Sequence, residues 1–346
     1  MAGFDVTFHP EWWFNRGFSF EERFFLDADY RIARDRDMRR VLHEEYGYAG
    51  LGESDPAPRP LMDSDLLAGE YLQAQLLGCE ITFYPERLPY THSMEATDSD
   101  LVALKPPDLK KGLWMAYSSQ FEHLLEKFGN VESYIDLHGI QNLALAIRGY
   151  KLFEDYQEES GLAYAALSVA YKTIASVAGA IRRYTHNIGS GVSSVLKLHN
   201  PEIYLTSNCS CDMISASAYR EHVLSWDKKL AGEFRPFGIH YCGGSMQRLA
   251  PVFAELCPDF VEIGAFSDVY GSLICFPETT YVSLRVSPAV LLNSKPEEVR
   301  NTVSDIKKQA LTAGFRDITV SAVGVDPKTP RENLNAFFEA ADEKYV

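Results

Sequence analysis

Three short apolar runs decide the fold: Ile203-Tyr204-Leu205-Thr206, Phe237-Gly238-Ile239-His240-Tyr241, and Phe260-Val261-Glu262-Ile263. Between them lie two longer stretches that read as helices, Ala216–Ala231 and Met246–Leu256, the second containing Pro251, which shortens or kinks it. Short apolar strands alternating with helices imply parallel pairing through crossovers. Such strands are apolar on both faces because helices cover one side and a packed interior the other.

The same alternation extends both ways. Upstream, a helix over 64–77 leads to a strand over Cys79–Tyr84, and a helix over Leu113–Phe128 leads to a strand over Val131–Leu137. An alanine-rich helix fills Gly161–Asn187. Downstream, Tyr281–Val286 reads as a strand and Pro296–Ala313 as a helix, with Ser294 and Glu297 at capping-box spacing and Gly314 as its stop. Asp317–Val323 reads as a strand, and Thr329-Pro330-Arg331-Glu332 opens a last helix to Ala341. About eight such units follow residue 60, which favours a closed (β/α)8 barrel, a TIM barrel, over an open doubly wound sheet. No Gly-x-Gly-x-x-Gly follows the first strand, which weakens a dinucleotide-binding fold further.

Residues 1–60 read as an N-terminal, aromatic-rich helical extension packing on a barrel of residues 61–346. Trp12, Trp13, Phe14, Phe18, Phe20, Phe24 and Phe25 crowd it, and Ser19 with Glu22 fits a capping box for a helix to about Glu45. Gly47 to Pro60 is a turn-rich connection. No flexible linker or low-complexity stretch divides the chain.

The 346 residues are 46% hydrophobic, ample for one large core, and carry a net charge of −15. Most of this surface repels a polyanion, so a nucleic-acid partner is not expected. The start of the chain has neither a basic segment nor an apolar one of signal-peptide type, and no uninterrupted apolar run is long enough to span a membrane. The expected setting is the cytoplasm, where the six cysteines are reduced thiols, metal ligands or core residues rather than disulfides. A homo-oligomer is compatible with the sequence.

In parallel α/β folds, chemistry sits just past the C-terminal ends of the strands. One strand here runs into Ser207-Asn208-Cys209-Ser210-Cys211-Asp212, another ends His240-Tyr241-Cys242-Gly243-Gly244, and a third ends Asp136-Leu137-His138-Gly139. Residues i and i+2 of an extended strand point the same way, so His240 and Cys242 can converge on one ion. The two glycines then let the chain turn. Cys209 and Cys211 repeat that spacing one strand away, and a mixed sulfur–nitrogen set suits zinc. The expected ligands are therefore His240, Cys242, and Cys209 or Cys211, with Cys211 the lesser of the pair. A lone cysteine is usually a small buried hydrophobe, and Cys79, Cys257 and Cys275 read so. His138 and Asn208 are candidate substrate contacts. Trp13 is a candidate pocket wall for a small substrate, although an aromatic stripe is more often plain core.

At these residues the chain resembles the uroporphyrinogen decarboxylase superfamily, in its zinc-dependent, corrinoid-linked methyltransferase branch. Ile239-His240-Tyr241-Cys242-Gly243 is similar to its His-x-Cys-Gly motif. Leu145-Ala146-Ile147-Arg148-Gly149, Val286 to Leu292, Lys295 to Val299 and Pro327-Lys328-Thr329-Pro330-Arg331-Glu332-Asn333-Leu334 resemble further stretches of the family. The resemblance covers roughly residues 60–345, and its pieces are more specific together than apart. It implies a barrel enzyme that uses Zn2+, with His240 and Cys242 catalytic, to move a methyl group between a small methylated substrate (an aryl methyl ether, methylamine or thiol) and methylcobalamin or cob(I)alamin carried by a corrinoid protein. Two departures stand out. The propionate-binding segment of the decarboxylases is reduced to Phe14-Asn15-Arg16-Gly17, which argues against porphyrinogen decarboxylation. The cysteine that thiol-accepting members place before Thr-Pro-x-Glu-Asn is missing from Ser321-Ala322-Val323-Gly324-Val325, so Cys209 or Cys211 is the replacement. The alternatives are a metal-free decarboxylase-like enzyme on the same barrel and a non-catalytic zinc-binding barrel with a closed four-ligand site.

Overall fold

A computed structural model describes residues 3–67, 69–158, 161–188 and 196–343. Its strands are β1 (Gly3–Phe8), β2 (Leu61–Met62), β3 (Ile81–Thr82), β4 (Tyr90–Thr91), β5 (Glu132–Ser133), β6 (Tyr204–Ser207), β7 (Phe237–His240), β8 (Phe260–Ile263), β9 (Tyr281–Arg285) and β10 (Ile318–Val325). Six of them form one parallel sheet in the order β1-β10-β9-β8-β7-β6. β2 and β5 pair in parallel, and a parallel bridge from His138 to Ser207 carries the β5 segment onto β6. Among the described residues the parallel strands thus number eight, with helices between them, the architecture of an α/β TIM barrel.

Two barrel strands lie where the sequence pattern hides them. Gly3–Phe8, expected within an arm, is the first strand and pairs along its whole length with β10. Leu61–Met62 is only two residues long and follows Pro60, too short to show a period. Conversely, the strand expected over Cys79–Tyr84 is not a barrel strand. Ile81–Thr82 turns back as an antiparallel hairpin with Tyr90–Thr91. The connection between them holds Pro85 and Pro89 and is far too short for the dozen or more residues of a parallel crossover.

The extension is helical but broken. The helix expected from Ser19 begins instead at Glu22, with Glu21 in the capping position, and ends at Leu26. Asp27 then adopts extended backbone, accepts a hydrogen bond from the Tyr30 N–H (3.0 Å), and starts a second helix, Ala28–Tyr46. At the other end of the chain, the long helix is capped by Lys295 and Glu298 rather than Ser294 and Glu297. Asn333 of the last helix anchors the region before it, donating to the Leu291 and Ser294 carbonyls.

The helix Leu162–Ile181 has the length and composition to cross a membrane. More than half of its apolar window is nonetheless buried inside the protein, where Ala166, Ala170, Ile174 and Val177 are fully enclosed. It reads as a core helix, and its alanines allow close approach.

Arg31, fully buried, joins the extension to the barrel. Its guanidinium donates to the Phe24 and Phe25 carbonyls (3.1 and 2.9 Å), twice to the Leu61 carbonyl at the start of β2 (3.1 and 3.0 Å), and to Gln120 Oε1 (3.0 Å). Truncation leaves several buried acceptors without donors, each costing roughly 1–3 kcal/mol. Arg31→Ala is therefore expected to destabilise the fold by about 3 kcal/mol or more, and Arg31→Lys to recover only part, because an ammonium lacks the planar fork. Urea unfolding of the three proteins checks this; an unchanged midpoint for Arg31→Ala contradicts it.

Candidate active site

Parallel register places four residues on one level of the barrel: His138 opposite Ser207, Ser207 opposite His240, and His240 opposite Glu262. All lie at or just past the C-terminal ends of their strands and are buried. Two residues further on, Cys242 leaves β7 and Cys209 leaves β6. The donor atoms of Cys209, His240 and Cys242 lie within 4.8 Å of one another. The two sulfurs are 2.6 Å apart.

The imidazole is oriented from behind. His240 Nδ1 donates to Glu262 Oε2, which leaves Nε2 as the nitrogen that faces Cys242. Glu262 is fully buried and is also paired with Arg285 Nε (3.3 Å). Burial alone would raise the Glu262 carboxyl, but Arg285 and then His240 outweigh it and hold it below its usual range. Burial likewise works against a charged His240, yet the Glu262 carboxylate outweighs it and holds the imidazole up to about 9. Of the two cysteines, Cys242 is the more acidic, since the Cys209 thiol hydrogen-bonds to it and the His240 charge lies beside it. Cys209 is pushed up by that same Cys242 contact and by burial.

The loops carrying the two cysteines are latched together. Tyr241 and Ser245 hydroxyls donate to the Asp212 carboxylate, and Arg248 donates to the Asp212 and Ile214 carbonyls (2.7 and 2.6 Å). Gly243 is required by crowding rather than by a turn. A Cβ there would meet the Tyr241 ring at 2.5 Å and Asp212 at 2.8 Å. Gly139, after His138, is held just as tightly, its missing Cβ falling 1.9 Å from the Ser207 carbonyl oxygen.

The other candidates fall in different places. Cys211 does not join the cluster. The expectation rested on an extended segment, but Cys209–Met213 is a 3-10 turn, in which i and i+2 diverge by about 120°. Cys211 is fully buried, and burial pushes its thiol up. Asn208 is buried and structural: its Nδ2 donates to Asp227 Oδ2 (2.9 Å), the same oxygen that accepts from Tyr219 (2.6 Å). Trp13 is fully buried between Trp12, Phe8 and Phe18, in the aromatic core. His138 does line an open cleft of about 720 Å³ that also touches Cys209. Its Nδ1 lies 2.8 Å from Gln73 Oε1, and burial lowers its pKa to about 3, so the ring is neutral. Cys79 is buried as expected, whereas Cys257 is exposed with a positive φ of 49° and Cys275 is half-buried.

Glu262, Arg285, Glu70 and Asn142 were not singled out from the sequence. Glu262 carries a signal: a carboxylate in the middle of Phe260-Val261-Glu262-Ile263, where a buried strand otherwise holds only apolar residues. Glu70 lies in a loop outside any pattern. It lines the cleft beside Cys209, and burial pushes it up to about 7. Asn142 Nδ2 donates to Glu70 Oε1 (2.6 Å), and its Oδ1 accepts from the Ser210 N–H (3.0 Å) and hydroxyl (2.5 Å) next to Cys209.

The fold and this strand-end cluster define an α/β barrel with a sulfur–nitrogen site at its mouth. The family profile described as "Uroporphyrinogen decarboxylase (URO-D)" matches residues 66–344, and the chain belongs to that family. A solved structure described as a methyltransferase from Methanosarcina mazei superposes with a TM-score of 0.67 at 19% identity, covering 99% of this chain and 93% of that one. A B12-independent methionine synthase from Shewanella sp. W3-18-1, in complex with selenomethionine, gives 0.50 at 10% identity, over 99% and 94%. At these identities both report the fold. A methylated-thiol–coenzyme M methyltransferase of Methanosarcina mazei is 29% identical over 137 residues, 39% of this chain. That match spans only 36% of the relative's length.

The geometry separates the cysteines. If the cluster holds a metal, Cys209→Ser removes a ligand and lowers zinc retention severely, while Cys211→Ser leaves zinc content near wild type. Metal analysis of both purified variants tests this, and equal loss in the two would place the third ligand differently.

Proposed function

We propose that this protein is a zinc-dependent methyltransferase, moving a methyl group between a small methylated substrate and the cobalamin of a partner corrinoid protein. The observation that carries the reading is the convergence of Cys209, His240 and Cys242 within 4.8 Å at neighbouring strand ends. Two thiols and an imidazole are the ligand types zinc prefers, and three protein ligands leave the open position that catalytic zinc requires. Cys242 is exposed, so the open side faces outward, where a second protein's cofactor can reach it. The buried Glu262 supports the reading as the outer partner of a ligating histidine, fixing its tautomer and turning Nε2 toward the thiols.

A zinc ion bound there would supply Lewis acidity to the oxygen, nitrogen or sulfur that carries the methyl group. The chain's own residues do the remaining work. Asp212, Tyr241 and Arg248 hold the two cysteine loops in register. Glu262 and Arg285 hold the imidazole. His138 and Glu70 present polar groups to the cleft beside Cys209, where the substrate would lie.

The chemistry named for the relative matched by sequence, a methylated-thiol–coenzyme M methyltransferase, supports methyl transfer over decarboxylation. Since a methionine synthase with the same barrel is described as B12-independent, the barrel alone does not select cobalamin as the methyl carrier. That part rests on the resemblance of the His240-x-Cys242-Gly243 segment. A metal-free decarboxylase would want free cationic groups at the barrel mouth, but Arg285 is already engaged by Glu262.

Purified protein is expected to carry about one zinc per chain and to catalyse methyl exchange with cob(I)alamin, followed by its absorbance, for some member of a panel of methylated phenols, amines and thiols. His240→Ala and Cys242→Ala should abolish both zinc binding and transfer. Glu262→Gln should weaken zinc affinity by roughly 10–100-fold, the usual cost of losing such a partner. Full zinc occupancy in both ligand variants would sink the proposal. Because the cluster sits on the rim of a barrel whose core is independent of it, chelation should end activity without loss of far-UV circular dichroism, unlike small domains that unfold without metal.

A further inference from the structure

Two cysteines from neighbouring strands meet at the barrel mouth at a spacing that a shared metal does not require. Cys209 Sγ and Cys242 Sγ are 2.6 Å apart. Two thiolates on one tetrahedral zinc, each about 2.3 Å from the ion, stand roughly 3.8 Å from each other. A sulfur–sulfur bond is about 2.05 Å long. The observed spacing is nearer to the bond than to the metal-bound pair.

The backbone carrying the two sulfurs permits that bond. Ser207 and His240 are register partners in β6 and β7, and each cysteine follows two residues later. Adjacent strands lie about 4.8 Å apart, within the roughly 4.4–6.8 Å that a disulfide spans between Cα atoms. The two loops are already clamped, because Asp212, three residues past Cys209, accepts from the Tyr241 and Ser245 hydroxyls on either side of Cys242. Closing the remaining gap of about half an ångström takes a turn of the side chains rather than a movement of the chain.

Access and choice of partner agree. Cys242 is exposed and Cys209 borders the open cleft, so a small oxidant reaches both. Cys211, two residues from Cys209, is fully buried, its side chain turned inward by the 3-10 backbone. The Cys79 and Cys275 thiols are directed at the Ala146 and Gly271 carbonyls instead.

Building on the zinc-dependent reading, we propose that Cys209 and Cys242 are also a redox pair, which a hydroperoxide converts to a disulfide that dismantles the ligand set. The Cys242 sulfur attacks the peroxide, takes up one oxygen as a sulfenic acid and releases an alcohol, or water where the oxidant is hydrogen peroxide. The Cys209 sulfur then attacks the Cys242 sulfur, and the hydroxyl leaves as water. The two thiols together lose two electrons and two protons, and the peroxide gains them. A disulfide sulfur is no longer a thiolate ligand, so His240 alone remains of the three and cannot retain the ion. A dithiol reductant, itself oxidised to a disulfide, returns both thiols and the site.

The test reads zinc and covalent mass rather than methyl transfer. Zinc-loaded protein is treated with a slight excess of hydrogen peroxide; liberated zinc is followed with a chromogenic chelator, and unreduced tryptic digests are examined by mass spectrometry. Peptides joined through Cys209 and Cys242 should appear, zinc should be lost in step with them, and dithiothreitol with added zinc should reverse both. Cys211→Ser should form the same bridge. Metal-stripped wild type should form it as well, whereas metal-stripped Cys209→Ser should form none and carry Cys242 on to the sulfinic acid. Peroxide treatment that yields no Cys209–Cys242 bridge, zinc that stays bound once the bridge has formed, or bridging to Cys211 instead overturns the inference. A protein that bridges these two cysteines but binds no zinc when reduced would overturn the proposed function and leave the redox pair standing.

Discussion

The site depends on a carboxylate buried in the barrel. Glu262 sits fully enclosed one strand over from His240. Moving such a charge out of water costs several kcal/mol, and only close, well-aligned partners offset that. Glu262 has two, the His240 imidazole on one side and the Arg285 guanidinium on the other. Their parallel register fixes His240 opposite Glu262, so turning the ring away would cost the buried carboxylate the partner that hydrogen-bonds it from that side. The nitrogen that faces the thiols is thereby set by a residue that itself points away from them.

The rest of the mouth is arranged around that fixed ring. Strand geometry carries Cys242 to the same side two residues later, and a tight turn brings in Cys209 from β6. The turn explains why one of two cysteines at equal spacing reaches the cluster. In 3-10 backbone the side chain two residues on has swung away, here into the protein interior, where burial and then the Asp227 charge raise its pKa. The two loops would be free to separate were they not latched through Asp212, and Gly243 is the residue that permits so close an approach.

Much of this is legible in the amino-acid order, and what is not has physical causes. His240 and Cys242 stand out because a two-residue period on a strand is a local rule. Most of the barrel's second half is legible for the same reason, its strands being short apolar runs between clear helices. β2 escapes because two residues carry no period, and β1 because its aromatic neighbours draw it into the pattern of an arm. Trp13 looks like a pocket wall by residue type, but burial depends on three dimensions, and it lies in the core against Phe8 and Phe18. Glu262 could have been found, since a lone acid in a buried strand has to be explained. Glu70 could not, because nothing in its loop sets it apart until the fold brings it beside Cys209.

The two halves of the mouth are built to different tolerances, and function follows from the contrast. Cys242, His240 and Glu262 lie on or directly after packed parallel strands, where a shift of one residue would turn every side chain to the other face. That rigidity suits a metal, whose ligands have to meet within a few tenths of an ångström. The cleft is walled instead by the β3–β4 hairpin, by the loop around Glu70 and by one face of the helix Ile140–Arg148, elements outside the barrel ladder. Asn142 is the joint between the halves: one end of its amide holds Glu70, the other the turn that delivers Cys209. Residues on the hairpin can therefore change without disturbing the strand-borne cluster. Under the proposed function, the strands would carry the chemistry and the elements attached outside them the choice of substrate.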